Sequence, residues 1–140
     1  MMKEYRWADL TLGQSARFEA EIGEAAMTAF AMLSGDENPL HLDDAFARAQ
    51  GFPGRVVFGQ LTSAFYSQLV GMHLPGRFAL LHGLDVDFKS PAFVGDKLTV
   101  SGTITHLTDA YKRLEMKAWI VNAQGKTISK AKIRAGVHEQ

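Results

Sequence analysis

Beyond Pro75-Gly76 the sequence changes period, and that change limits the fold more than any other feature. Leu80 to Phe88, Lys97 to His106, Arg113 to Asn122 and Thr127 to Val137 each alternate polar with apolar residues, separated by turn residues such as Gly95-Asp96 and Ala123-Gln124-Gly125. Successive side chains of a strand point to opposite faces, so a period of two marks a strand with one face buried. These four are expected to form an antiparallel meander. Arg17 to Ile22 alternates in the same way and supplies a fifth strand. The stretch before the switch, Gly59 to Val70, repeats Leu61, Ala64, Phe65 and Leu69 at helical spacing and carries apolar residues round much of its circumference, so a helix buried on nearly all sides is expected. A half-apolar sheet and an apolar helix each need the other's surface. The expected class is α+β, a sheet around a central helix.

Two shorter helices precede it. Ala25 to Leu33 places Ala25, Ala29, Met32 and Leu33 at helical spacing and stops near Ser34-Gly35. Asp43 to Gly51 has acids at its start and glycine at its end, as the helix dipole and C-capping favour.

At 140 residues the chain has the size of a single domain, expected over 1–140. Fifteen basic residues balance fifteen acidic ones, so no strong field draws nucleic acid or an anionic membrane. There is no cysteine, hence no disulfide, thiolate metal site or cysteine nucleophile. The first residues are polar, and no later stretch approaches the roughly 18 uncharged apolar residues of a membrane span, so a cytoplasmic location is expected.

The segment between the first two helices, Ser34-Gly35-Asp36-Glu37-Asn38-Pro39-Leu40-His41, concentrates reactive groups on a constrained backbone. Pro39 fixes its own φ and pushes Asn38 toward extended geometry, so Asp36 and His41 cannot share one continuous helix. Held on a stiffened loop, a carboxylate and an imidazole can converge on one water, as general acid/base catalysis requires. By spacing alone a second interpretation stands beside it: Asp36 caps a turn, Asn38-Pro39 is turn chemistry and His41 merely precedes a helix. A calcium loop is excluded, because the glycine and late carboxylate it needs are missing.

Phe30 to His41, followed by Ala47, resembles the signature of the MaoC-like, R-specific enoyl-CoA hydratases. Val57-Phe58-Gly59, the apolar helix to Gly71, and Phe88 to Asp96 are similar to later segments of that family, so the resemblance covers nearly the whole chain. It implies a hot-dog fold, and reversible hydration of trans-2-enoyl thioesters to R-3-hydroxyacyl thioesters with Asp36 and His41 as the acid/base pair. It also implies that Asn38 supports the loop, that Ser67 hydrogen-bonds near Asp36, and that the Gly59 N–H meets the thioester carbonyl. That last role has independent physical sense: a helix N-terminus offers free N–H donors and a positive dipole end, and one such donor lowers a barrier by about 3 kcal/mol. Phe58 departs from the family pattern, where many relatives have histidine, and bears on the shape of the acyl pocket. No metal or redox cofactor is implied; the substrate itself carries coenzyme A or the phosphopantetheine of an acyl carrier protein. A homodimer is implied too, since an exposed sheet edge is normally paired or covered.

His73, His82, His106 and His138 stand singly, without zinc-ligand spacing, and no nucleophile elbow or nucleotide-binding loop is present. Arg55, Arg77 and Lys89 are isolated charges that can either greet substrate phosphates or remain solvated. Two rival functions of the same fold stay open: a binding module without chemistry, and a thioesterase.

Overall fold

A computed structural model describes residues 1–139. The elements run β1 (Ser15–Glu21), α1 (Glu24–Ser34), α2 (Pro39–Leu42), α3 (Asp44–Ala49), α4 (Gly59–Gln68) with a π-helical turn over Leu69–His73, then β2 (Ala79–Phe88), β3 (Lys97–Thr108), β4 (Arg113–Asn122) and β5 (Thr127–Val137). All five strands form one antiparallel sheet, in the order β1-β3-β4-β5-β2. Strand positions agree with the period-two segments; their expected order does not. Only β3, β4 and β5 make a meander, whereas β2 pairs with β5 at the far edge and β1 pairs with β3. The cause is the β2–β3 connection, which makes no hairpin: Ala92 O accepts from Val57 N at 2.8 Å and Gly95 N donates to Ile22 O at 3.0 Å, so the chain crosses to the opposite side of the sheet.

Alternate residues of β3, β4 and β5, among them Val100, Ile104, Met116, Ile120 and Ile133, form the inner face, on which α4 lies. Close approach is needed where the helix runs on into its π turn: a Cβ at Gly102 would stand 2.8 Å from the Leu69 side chain and 2.6 Å from the Met116 sulfur. Between helix and sheet the Tyr66 hydroxyl and Ser129 Oγ are hydrogen-bonded at 2.7 Å, both residues fully buried. Burial pushes the Tyr66 phenol up to about 12, against the smaller opposing effect of that hydrogen bond.

Two expectations about helix faces need correction. α4 buries Thr62, Ser63 and Tyr66 but leaves Gln60, Ala64, Ser67 and Gln68 exposed, because one twisted sheet covers only one side of a helix. α1 buries Met27 and Ala31, while Ala25, Ala29, Met32 and Leu33, the spaced apolar set, face outward; Met32 is 81% and Leu33 86% exposed. Among the described residues no helix is long and apolar enough to cross a membrane.

Candidate active site

The loop between α1 and α2 is built by short polar side chains taking over backbone hydrogen bonds. Gly35 ends α1 with φ 74, a left-handed conformation that glycine adopts without steric cost, and its N–H donates to Ala31 O at 2.9 Å. Ser34 Oγ donates to Phe30 O at 2.7 Å and accepts from Asp36 N at 3.1 Å. Asp36 Oδ1 accepts from Asn38 N at 3.1 Å, and Asn38 Oδ1 accepts from Leu40 N at 2.9 Å. Asn38 is thus the N-cap of α2, and Pro39 occupies the first helical position, where a missing N–H costs nothing. His41 therefore sits on a four-residue helix rather than on the loop itself, a local correction that follows from this cap.

The His41 ring is held on two sides. Its Nδ1 lies 2.7 Å from Val56 O, and because a carbonyl only accepts, Nδ1 carries a proton and Nε2 is the nitrogen left to exchange one. Phe58 stacks on the imidazole at 4.2 Å between ring centroids and 30°, and Phe30 packs on Phe58 at 4.7 Å. Phe58, the departure from the family pattern, is 2% exposed and so forms an apolar wall against the histidine.

These residues open onto one cavity of about 350 Å³, lined by Phe30, Ser34, Asp36, His41, Phe58, Gly59, Gln60 and Phe88. Asp36, itself exposed, shares that lining with His41 and with the start of α4. Phe58, as N-cap of α4, contributes no side-chain cap, and its carbonyl accepts from Leu61 N and Thr62 N. The N–H groups of Gly59 and Gln60 accordingly have no hydrogen-bond partner among the described residues, which leaves donors at the positive end of the helix dipole. A second cavity of about 270 Å³ adjoins through His41, Gly59 and Phe88 and continues past Lys89 and Ala92. Phe88 is the shared partition.

Asp36, His41, Asn38, Phe58 and Gly59 thus come together in loop or cavity, and Ser67 does not. It lies eight residues beyond Gly59, about 12 Å along the axis at the helical rise, and on the exposed side of α4. No hydrogen bond joins it to Asp36 within this chain, among the described residues. The other histidines are elsewhere: His73 stacks on Phe18 at 4.6 Å, its pKa lowered by burial and then by the N-terminus and Lys3, and His106 pairs with Glu115 at 3.4 Å. Among the described residues no three acidic or histidine side chains converge as metal ligands would.

Three contributors escaped sequence reasoning. The Val56 carbonyl has no side-chain signature at all. Phe88 belongs to a strand by its alternation, and only tertiary packing sets its ring 3.2 Å from where a Cβ on Gly59 would stand. Arg55, taken for an isolated charge, has a side chain only 14% exposed and donates Nε to His41 O at 2.7 Å.

A carboxylate, an imidazole anchored through Nδ1, and unpaired backbone donors around one small cavity can hold a water, move its protons and stabilise negative charge on a carbonyl oxygen.

Comparison with known proteins agrees with this chemistry. The sequence profile described as MaoC like domain matches residues 8–133. An (R)-specific enoyl-CoA hydratase of Aeromonas caviae is 43% identical over 100 residues, covering 71% of this chain and 75% of that protein. A 3-hydroxybutyryl-CoA dehydratase of Methylorubrum extorquens is 29% identical over 119 residues, covering 83% and 76% respectively. The solved structure of an unliganded R-hydratase from Pseudomonas aeruginosa superposes with a TM-score of 0.93 at 29% identity, covering 99% of this chain and 89% of that one.

Proposed function

The chain belongs to the MaoC-like family, and from that membership we propose that it is a hydro-lyase interconverting trans-2-enoyl and R-3-hydroxyacyl thioesters, with Asp36 and His41 as its acid/base pair. The observation that carries the residue assignment is the single cavity wall shared by Asp36, His41 and Gly59. In the forward direction the pair holds a water and takes one of its protons while the oxygen bonds to the β-carbon. The C=C electrons move toward the thioester carbonyl, whose oxygen gathers charge at the Gly59 N–H. The pair then returns a proton to the α-carbon, and dehydration runs the same steps backwards. Atoms and electrons balance without any redox partner, because water is added whole.

Asn38 holds the carboxylate-bearing turn through its two hydrogen bonds. The acyl group is carried by coenzyme A or by an acyl carrier protein, and residues 1–140 act as one catalytic domain. The test is the ultraviolet band of a conjugated enoyl thioester. Wild-type protein should bleach it, and Asp36→Asn or His41→Ala should slow the loss by about 100-fold or more. Near-normal hydration by either variant refutes the assignment. Loss of the band accompanied by stoichiometric free thiol identifies a thioesterase instead, because hydrolysis also destroys the conjugated thioester.

We also assign a dimer. β2 is a terminal strand with one unpaired side, and it exposes Leu80 at 57%, Leu81 at 40% and Phe88 at 50%. Edges of this kind are paired or covered in stable proteins, and the outward Met32 and Leu33 of α1 offer further apolar area. Sedimentation should give twice the chain mass, and a monomer for Leu81→Lys. A monomeric wild type rules the dimer out.

A further inference from the structure

Arg55 makes three connections around the catalytic turn, none of which the proposed chemistry uses. Its Nε donates to His41 O at 2.7 Å, its Nη1 donates to Glu24 Oε2 at 2.5 Å, and its backbone N–H donates to Asp44 Oδ1 at 2.9 Å. The next residue, Val56, donates its N–H to Leu40 O at 3.1 Å and accepts from the His41 ring at 2.7 Å. The four-residue α2 is too short to satisfy its own C-terminal carbonyls, and a helix of one turn has little cooperativity to hold it. The rigid planar fork of an arginine supplies what is missing: one prong to the carbonyl of His41, another anchored on the first residue of α1.

We propose that Arg55 is a positioning residue for His41, clamping the backbone beneath the imidazole so that Nε2 stays aimed into the cavity. The proposal rests on the acid/base assignment of His41. It sets Arg55 apart from a phosphate receptor for the carrier, because its side chain is largely buried and two of its nitrogens are already engaged within the protein. Lysine has one compact ammonium and cannot span both partners, so it should substitute only in part.

The test compares Arg55→Gln and Arg55→Lys in the wild-type and His41→Ala backgrounds, with kcat and KM measured separately. Loss of alignment of a reacting group is worth on the order of 100-fold, so Arg55→Gln should lower kcat by about that factor while KM stays nearly constant, with partial recovery in Arg55→Lys. In His41→Ala the same Arg55→Gln change should have almost no effect on the residual kcat, because its target is gone. Glu24→Gln frees the guanidinium from α1 at an exposed position, and should reproduce the kcat loss in weaker form even if Arg55→Gln folds poorly. A raised KM at constant kcat makes Arg55 a substrate contact and overturns the proposal. So does an equal loss of kcat in both backgrounds, which marks a general structural effect. His41→Ala with normal hydration removes the acid/base reading itself, whereas an impaired His41→Ala beside normal Arg55→Gln and Glu24→Gln variants removes only this inference.

Discussion

The hydrogen bond between Tyr66 and Ser129 ties the central helix to the sheet, and deleting either hydroxyl should cost more than deleting both. Both residues are fully buried, and the two oxygens are 2.7 Å apart. Tyr66→Phe strands the Ser129 hydroxyl where no water replaces the lost partner; Ser129→Ala does the same to the phenol. An unsatisfied buried polar group costs about 1–3 kcal/mol, whereas replacing both partners with apolar groups of similar shape is nearly neutral. A melting entropy of about 2.1 cal/mol/K per residue gives roughly 0.3 kcal/mol/K for a chain of 140 residues. A penalty of about 2 kcal/mol then lowers Tm by about 7 °C in each single variant. Tyr66→Phe/Ser129→Ala should melt within roughly 2 °C of wild type, a coupling of several kcal/mol in the double-mutant cycle. Calorimetry or circular dichroism at neutral pH reads it directly. Simple additivity, with the double variant melting about 14 °C below wild type, would show that lost packing rather than an orphaned hydroxyl governs the site.

The same phenol predicts an alkaline dependence. Its pKa in the fold is raised from 10.0 to about 12, so its contribution is complete below pH 10.0 and drains away as pH climbs toward 12, while the unfolded chain loses its proton first. Denaturant midpoints should therefore fall across that window more steeply for wild type than for Tyr66→Phe/Ser129→Ala, and parallel curves count against it. At the active site, Gly59→Ala places a methyl 3.2–3.4 Å from Phe88 ring carbons, so that the ring gives way by a few tenths of an ångström. Stability should stay within about 1 kcal/mol of wild type, because alanine is the better helix former, while kcat/KM falls roughly tenfold as methyl and ring crowd the Gly59 donor. Unchanged hydration rates would remove Gly59 from the reaction.

Local pattern was enough to place every strand, because side-chain alternation is a property of the strand alone, and enough to end α1 near Gly35, because caps act within a few residues; the one-turn α2 over Pro39–Leu42 was expected as loop. The signature around Asp36 and His41 was legible because its residues are contiguous, and the turn that carries Asp36 makes its own hydrogen bonds through Ser34, Asp36 and Asn38. What sequence order does not contain is which strand lies beside which, and which side of a helix finds a partner. The neighbour of β2 depended on where the β2–β3 crossover attaches. The buried face of α1 depended on what packs against it, so the spaced apolar set of Ala25, Ala29, Met32 and Leu33 pointed outward. Arg55, the Val56 carbonyl and Phe88 joined the site only through contacts between segments distant along the chain. Such contacts are made by packing, which follows buried area and hydrogen-bond completion over the whole molecule, and no stretch of residues carries that information alone.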